Sequence, residues 1–241
     1  MIPNTIHYCW FGGKQLSKDV IFCINSWKKH MPEFEIIEWN ESNFNVNQYK
    51  FAKEALDSKK HAFVSDVCRL HVLYENGGIY LDTDVEVLKP FNELLNTVAF
   101  VGLETEEFIC TAIMASEKKS IWIADLLKYY NDKSFFNIDG TFDTTPNPKI
   151  VSSIMSQKQI KFTNKYQEIK NYVTIYPTYY FSPKNYFTGK TKITKDSFSI
   201  HHFNSTWMTE KQKNRNKTKV FLIRIFGEKI VFSLIRFFKK Q

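Results

Sequence analysis

Alternating apolar positions at the start of the chain predict a first strand over Ile2–Trp10. Ile6, Tyr8 and Trp10 share one face there, and Gly12-Gly13 ends the run. A helical period follows. Val20, Cys23, Ile24 and Trp27 make one stripe across Asp19–His30, and Pro32 stops it. Phe34–Trp39 reads as a second strand and Asn47–Ser58 as a helix. The strongest helical signal is Ala62–Glu75, with Phe63, Val67, Leu70, Leu73 and Tyr74 apolar and Gly77-Gly78 at its end. Ile79–Leu81 is a short buried strand that runs into Asp82-Thr83-Asp84. Further strands are predicted over Val98–Gly102, Ile109–Ala115, Tyr172–Phe181 and Ser197–Phe203, and helices over Ser120–Asn131 and Pro146–Gln157. Strands alternating with helices predict an α/β fold, a mostly parallel sheet flanked by helices. Ligands on such sheets bind beyond the carboxyl ends of the strands.

The 241 residues suffice for one sizeable core. A hydrophobic content of 43% with 16% aromatics excludes a disordered chain. The four cysteines form no C-x-x-C and sit in apolar stretches, so they read as buried free thiols of a reducing, cytoplasmic compartment. The first residues lack the pattern of a signal peptide, and no apolar run is long enough for a membrane span. Charge divides the chain. Residues 211–241 hold seven Lys, three Arg and one Glu, net +9, against +8 for the whole, which leaves −1 for residues 1–210. A nearly neutral body does not suggest a nucleic-acid groove. The tail reads as a basic amphipathic helix, with Val220, Ile223, Phe226, Ile230, Val231 and Leu234 broadly on one side, suited to an anionic membrane surface. The expected division is therefore a catalytic domain over 1–210 and a basic tail over 211–241, with the protein peripheral on the inner face of the cell membrane.

Four stretches carry chemistry. In GGIYLDTD, Gly77 to Asp84, an apolar strand delivers two carboxylates one residue apart; in extended chain these point the same way and suit a hard divalent cation. In Ser65-Asp66-x-x-Arg69 the acid and base are helical neighbours, and Asp66 between Val64 and Val67 is expected to be partly buried. Trp10 before Gly12-Gly13 is placed to stack on a base. The late stretch His201-His202-Phe203-Asn204-Ser205-Thr206-Trp207 offers a metal-ligating histidine. Strand alternation lets only one of His201 and His202 reach a given site. Glu104, Glu106, Glu107 and Thr144-Thr145-Pro146-Asn147 are candidates for the acceptor side by location.

Taken in order, W-x-G-G, S-D-x-x-R, G-G-x-Y-L-D-x-D and H-H-x-x-S-x-W resemble glycosyltransferase family 32, the D-x-D sugar-binding family, which includes bacterial capsular-polysaccharide transferases and is similar to the glucosyltransferase domain of large clostridial cytotoxins. The resemblance covers residues 2–90 well and 196–208 moderately. It implies a GT-A-like fold and retaining transfer of a hexose from a nucleotide-diphosphosugar, UDP-glucose or UDP-galactose by preference. The cofactor it implies is Mn²⁺ or Mg²⁺, and the acceptor a glycan or lipid-linked glycan of a bacterial surface polysaccharide. Carried over by position, Trp10 stacks on the base, Asp66 and Arg69 hold the donor sugar and Tyr80 lies beside it. Asp82 contacts ribose and sugar and helps place the metal, Asp84 ligates it and His202 is the late ligand, with His201 as the other choice. Ser205 and Trp207 belong to a loop that closes over the diphosphate. The rival reading is a catalytically silent sugar-nucleotide or glycan-binding module held at the membrane.

Overall fold

A computed structural model describes residues 1–204, 210–227 and 230–231. Its centre is a seven-stranded sheet. Strand β1 is Thr5–Cys9, β2 Glu35–Trp39, β3 Gly78–Leu81, β5 Ala99–Leu103, β6 Ile109–Ser116, β7 Gln167–Ile169 and β8 Val173–Tyr176. They lie in the order β2-β1-β3-β6-β5-β8-β7. β2, β1 and β3 pair in parallel, β6 is antiparallel to both β3 and β5, β8 is parallel to β5, and β7 is antiparallel to β8. Five strands therefore run one way and β6 and β7 the other, a mixed, mostly parallel sheet as the pattern predicts. A second sheet pairs β4 (Val85–Val87) with β9 (Ser199–His201), antiparallel, with Val85 opposite His201.

Helices flank the sheet: α1 (Lys18–His30), α2 (Lys50–Asp57), α3 (His61–Asn76), α4 (Ile121–Leu127), α5 (Asn147–Gln157), the short α6 (Thr178–Phe181) and α7 (Glu210–Phe226). One apolar cluster joins α2, α3 and α4 to one face of the sheet through Phe51, Val67, Leu70, Trp122 and Leu126. The other joins α1 to the opposite face through Val20, Cys23, Trp27, Ile79 and Leu81. β3 is buried over its whole length, as a strand covered on both faces must be. The four cysteines are free and buried, as expected.

The chain departs from the predicted pattern at two places. The strand expected over Tyr172–Phe181 ends at Tyr176. Pro177, at φ −63°, lacks an amide proton to continue the ladder and caps the start of α6 instead. β4 and β7 are three-residue strands, too short to give a period. In the described part of the tail, Ile223 and Val231 are buried while Phe221, Leu222, Ile225, Phe226 and Ile230 are exposed, and Leu234 lies outside the described residues. Among the described residues no helix is long and apolar enough to cross a membrane.

Candidate active site

The site is assembled where α3, β3 and β9 meet. Gly77 and Gly78 close α3 and open β3 with φ of +70 and +101. A Cβ at Gly78 would stand 2.6 Å from the Thr5 carbonyl of β1, so only glycine permits this corner without displacing backbone. The corner sets α3 beside the strand that follows it and brings Asp66 and Arg69 to Asp82.

Arg69 is the hub. It is 5% exposed. Its Nη2 donates to Asp66 Oδ1 at 3.0 Å and lies 3.3 Å from Asp82 Oδ1; its Nη1 donates to the Thr111 carbonyl of β6 at 2.6 Å, and its Nε to the Ser65 carbonyl at 3.3 Å. The Tyr80 ring lies 4.6 Å from the guanidinium carbon, and the Tyr80 hydroxyl donates to Asp82 Oδ1 at 2.9 Å. Burial works against the guanidinium charge, but Asp82, Tyr80 and Asp66 outweigh it and raise the Arg69 pKa. Arg69, expected to hold the donor sugar, and Tyr80, expected beside it, are both buried, Tyr80 at 1% exposure. They hold the two carboxylates in place. Asp66 is buried as expected. Burial lifts its pKa to about 6, against the pull of Arg69.

Asp82 and Asp84 do not lie on extended chain. The Val85 amide donates to the Asp82 carbonyl at 3.0 Å, which closes a turn. The two carboxylates nonetheless converge, and the group they join contains His201: Asp82, Asp84 and His201 each offer a ligand atom, all within 4.8 Å of one another. His201 Nε2 is 3.3 Å from Asp84 Oδ1, and the Asn204 amide donates to Asp84 Oδ2 at 2.8 Å. Burial raises the Asp84 pKa, but His201 and the Asn204 amide more than reverse this and hold it below the usual range. The His201 pKa is correspondingly raised, although burial alone would lower it.

His202, the expected late ligand, points elsewhere. Its Nε2 is 2.9 Å from Glu86 Oε2. The β4–β9 register sets the neighbours apart: His201 stands opposite Val85, next to Asp84. Alternation alone shows that the two histidines face opposite ways, and without β4 it gives no means of choosing. Two carboxylates and an imidazole nitrogen suit Mn²⁺ or Mg²⁺. Glu104, expected on the acceptor side, lies 3.9 Å from His201 Nδ1 and is buried enough for its pKa to rise. Trp10 follows β1, which runs parallel to β3 with His7 opposite Tyr80, so both strands end at one edge. Trp10 is part-exposed and its indole Nε1 donates to the Lys14 carbonyl. Ser205 and Trp207 lie outside the described residues.

Residues 17–101 match the family described as the glycosyltransferase sugar-binding region containing the DXD motif. This segment, about a third of the chain, is similar to a glycosyltransferase sugar-binding region. It contains Asp66, Arg69, Tyr80, Asp82 and Asp84, so the carboxylate half of the site falls inside the match and His201 outside it. Among similar proteins, glucan organizing enzyme 1 of Cryptococcus neoformans is 37% identical over 82 residues, 30% of this chain and 22% of the relative. Lactosylceramide 4-alpha-galactosyltransferase of Rattus norvegicus is 36% identical over 72 residues, 28% of this chain and 19% of the relative. The chain thus spans about a fifth of the length of each of these two relatives. A solved glycosyltransferase involved in glycosylation of the major capsid of PBCV-1 superposes with a TM-score of 0.48 at 13% identity, over 90% of this chain and 98% of that one.

Proposed function

We propose that this chain is a metal-dependent glycosyltransferase that moves a hexose from a nucleotide-diphosphosugar to a glycan acceptor. The observation that carries the reading is the convergence of Asp82, Asp84 and His201 beside the buried Asp66–Arg69 pair, on a segment of the sugar-binding family. Asp82, Asp84 and His201 are the proposed ligands of Mn²⁺ or Mg²⁺. A divalent cation at these ligands supplies positive charge against the departing diphosphate, the chief electrostatic demand of the transfer. Asp66 accepts hydroxyl protons of the donor sugar, and Arg69 fixes its carboxylate. Trp10 stacks on the base, and Ser205 and Trp207 are assigned to closure over the diphosphate by the resemblance alone. A retaining transfer from UDP-glucose or UDP-galactose is the preferred form. The rat relative is named for galactosyl transfer to a glycolipid, which favours a lipid-linked glycan as acceptor, and a bacterial surface polysaccharide is the proposed product.

The test is hydrolysis of a panel of UDP- and GDP-hexoses by the purified chain with and without Mn²⁺. Turnover of one donor that depends on Mn²⁺ is expected; tight binding of donor without turnover would make the protein a silent binding module. The same assay at saturating Mn²⁺ reads the charge of Asp66. A carboxyl with its pKa raised to about 6 is mostly neutral below that pH, and its ionised form is the stronger acceptor of sugar hydroxyls, so donor use is expected to rise with pH through about 6. Asp66→Asn is expected to remove this limb. A profile of Asp66→Asn that keeps the rise assigns it to another group.

We also propose that residues 211–241 bring the protein to an anionic bilayer on the cytoplasmic side. Phe221, Ile225, Phe226 and Ile230 are each more than half exposed, and the tail carries net +9. Apolar burial and attraction of about 1 kcal/mol per cation near the surface act together. Sedimentation with anionic liposomes at low salt is expected, with weaker binding at high salt. Equal sedimentation with neutral and anionic vesicles would remove the electrostatic part of the proposal.

A further inference from the structure

We propose that Glu104 is a positioning residue for the metal site, receiving the Nδ1 proton of His201; this rests on the metal-site reading above. The two ring nitrogens of His201 face different groups. Nε2 is 3.3 Å from Asp84 Oδ1. Nδ1 is buried and has no hydrogen-bond partner, and the charged oxygen Glu104 Oε2 lies 3.9 Å from it. His201 is also the member shared by two clusters, Asp82–Asp84–His201 and Glu104–Cys110–His201. A neutral histidine that offers one nitrogen to a cation carries its proton on the other, and the acceptor of that proton fixes both tautomer and ring plane.

Glu104 is built for that part. It directly follows β5, and its backbone amide donates to the Phe108 carbonyl at 2.8 Å, which anchors the turn that bears it. Its side chain is 19% exposed, so little water competes for the carboxylate. Closing the gap to a charge-assisted hydrogen bond of about 2.8 Å takes a movement on the order of 1 Å. Cys110, the third member of the Glu104–Cys110–His201 cluster and a near neighbour of His201, is the weaker acceptor. Its sulfur is a weak acceptor and already lies 3.1 Å from the Ser182 hydroxyl.

The experiment is a Mn²⁺ titration of the full chain followed by the electron paramagnetic resonance of free Mn²⁺. Glu104→Ala is expected to weaken binding about ten- to a hundredfold, the usual range for loss of a group that orients a ligand. Glu104→Gln, whose amide oxygen still accepts the proton, is expected to recover most of the affinity, and Cys110→Ala to leave it unchanged. In the Mg²⁺-loaded protein, nitrogen NMR should find the His201 proton on Nδ1 in the natural chain and in Glu104→Gln. Wild-type affinity in Glu104→Ala, with binding lost in Asp84→Ala, overturns the role of Glu104 and leaves the metal site standing. Equal losses in Glu104→Ala and Glu104→Gln, or a loss in Cys110→Ala alone, also overturn it. Absence of Mn²⁺ binding by the natural chain overturns both readings.

Discussion

Replacing Asp84 with alanine is expected to abolish metal-dependent turnover. Asp84 shares the cluster with Asp82 and His201 and faces His201 at 3.3 Å. Its carboxylate is held charged by His201 and the Asn204 amide even though it is largely buried. A cation that stabilises the leaving diphosphate is worth several kcal/mol of barrier, and each 1.36 kcal/mol is tenfold in rate, so a loss of about a thousandfold is expected. Asp84→Asn separates charge from shape. Its amide oxygen still accepts from Asn204, so the local turn survives, yet Mn²⁺ dependence should be lost. The measurement is donor hydrolysis against Mn²⁺ concentration, with circular dichroism to confirm the fold. A folded Asp84→Asn that turns over within a few-fold of the natural rate would remove Asp84 from the metal site.

The second large effect is on stability. Arg69→Ala is expected to lower the melting temperature more than any change to the exposed carboxylates of the surface. The guanidinium reaches Asp66, Asp82, the Ser65 carbonyl and the Thr111 carbonyl in a buried setting. Alanine leaves Asp66, itself 8% exposed, without its cation, and strips a donor from β6. Removing one partner of a buried pair costs about 3–5 kcal/mol. At about 2–4 °C per kcal/mol for a chain of this size, a drop on the order of 10 °C follows. Lysine offers one point charge in place of a fork and is expected to restore only part of it. The double variant Asp66→Asn with Arg69→Ala should lose less than the two single losses added, because the unpaired charge is gone. A melt of Arg69→Ala within about 2 °C of the natural chain would show that the cluster is not what holds α3 to β3.

Much of this was legible in the residues. The apolar stripes of α1 and α3 and the buried run of β3 are local patterns, and the structure has them where the pattern puts them. The burial of Asp66 followed from Val64 and Val67 on either side. What the sequence left open depends on partners far along the chain. His201 and His202 are distinguished by their register against β4, a strand of three residues with no period of its own. Locally Arg69 reads as the helical neighbour of Asp66; Thr111 and Asp82, which enclose it from β6 and the end of β3, leave no local signal. The proximity of Glu104 to His201 has no sequence signal, since it arises where the end of β5 approaches β9.

The corner at Gly77-Gly78 divides the site by distance along the chain. Arg69 and Asp82 are 13 residues apart, joined through a single helix and strand. The contacts that bring in the late strand, such as His202 with Glu86, span 116 residues. Loop-closure entropy grows with the logarithm of that span, and the ratio of the two spans corresponds to about 2 kcal/mol. The carboxylate half of the site is therefore a local structure that the chain reaches early in folding, and the histidine half must wait for nearly all of the domain to form. A cation held across both halves would act as a clasp between the first and last parts of the fold, so that the competence to bind metal reports completion of the chain's folding as a whole.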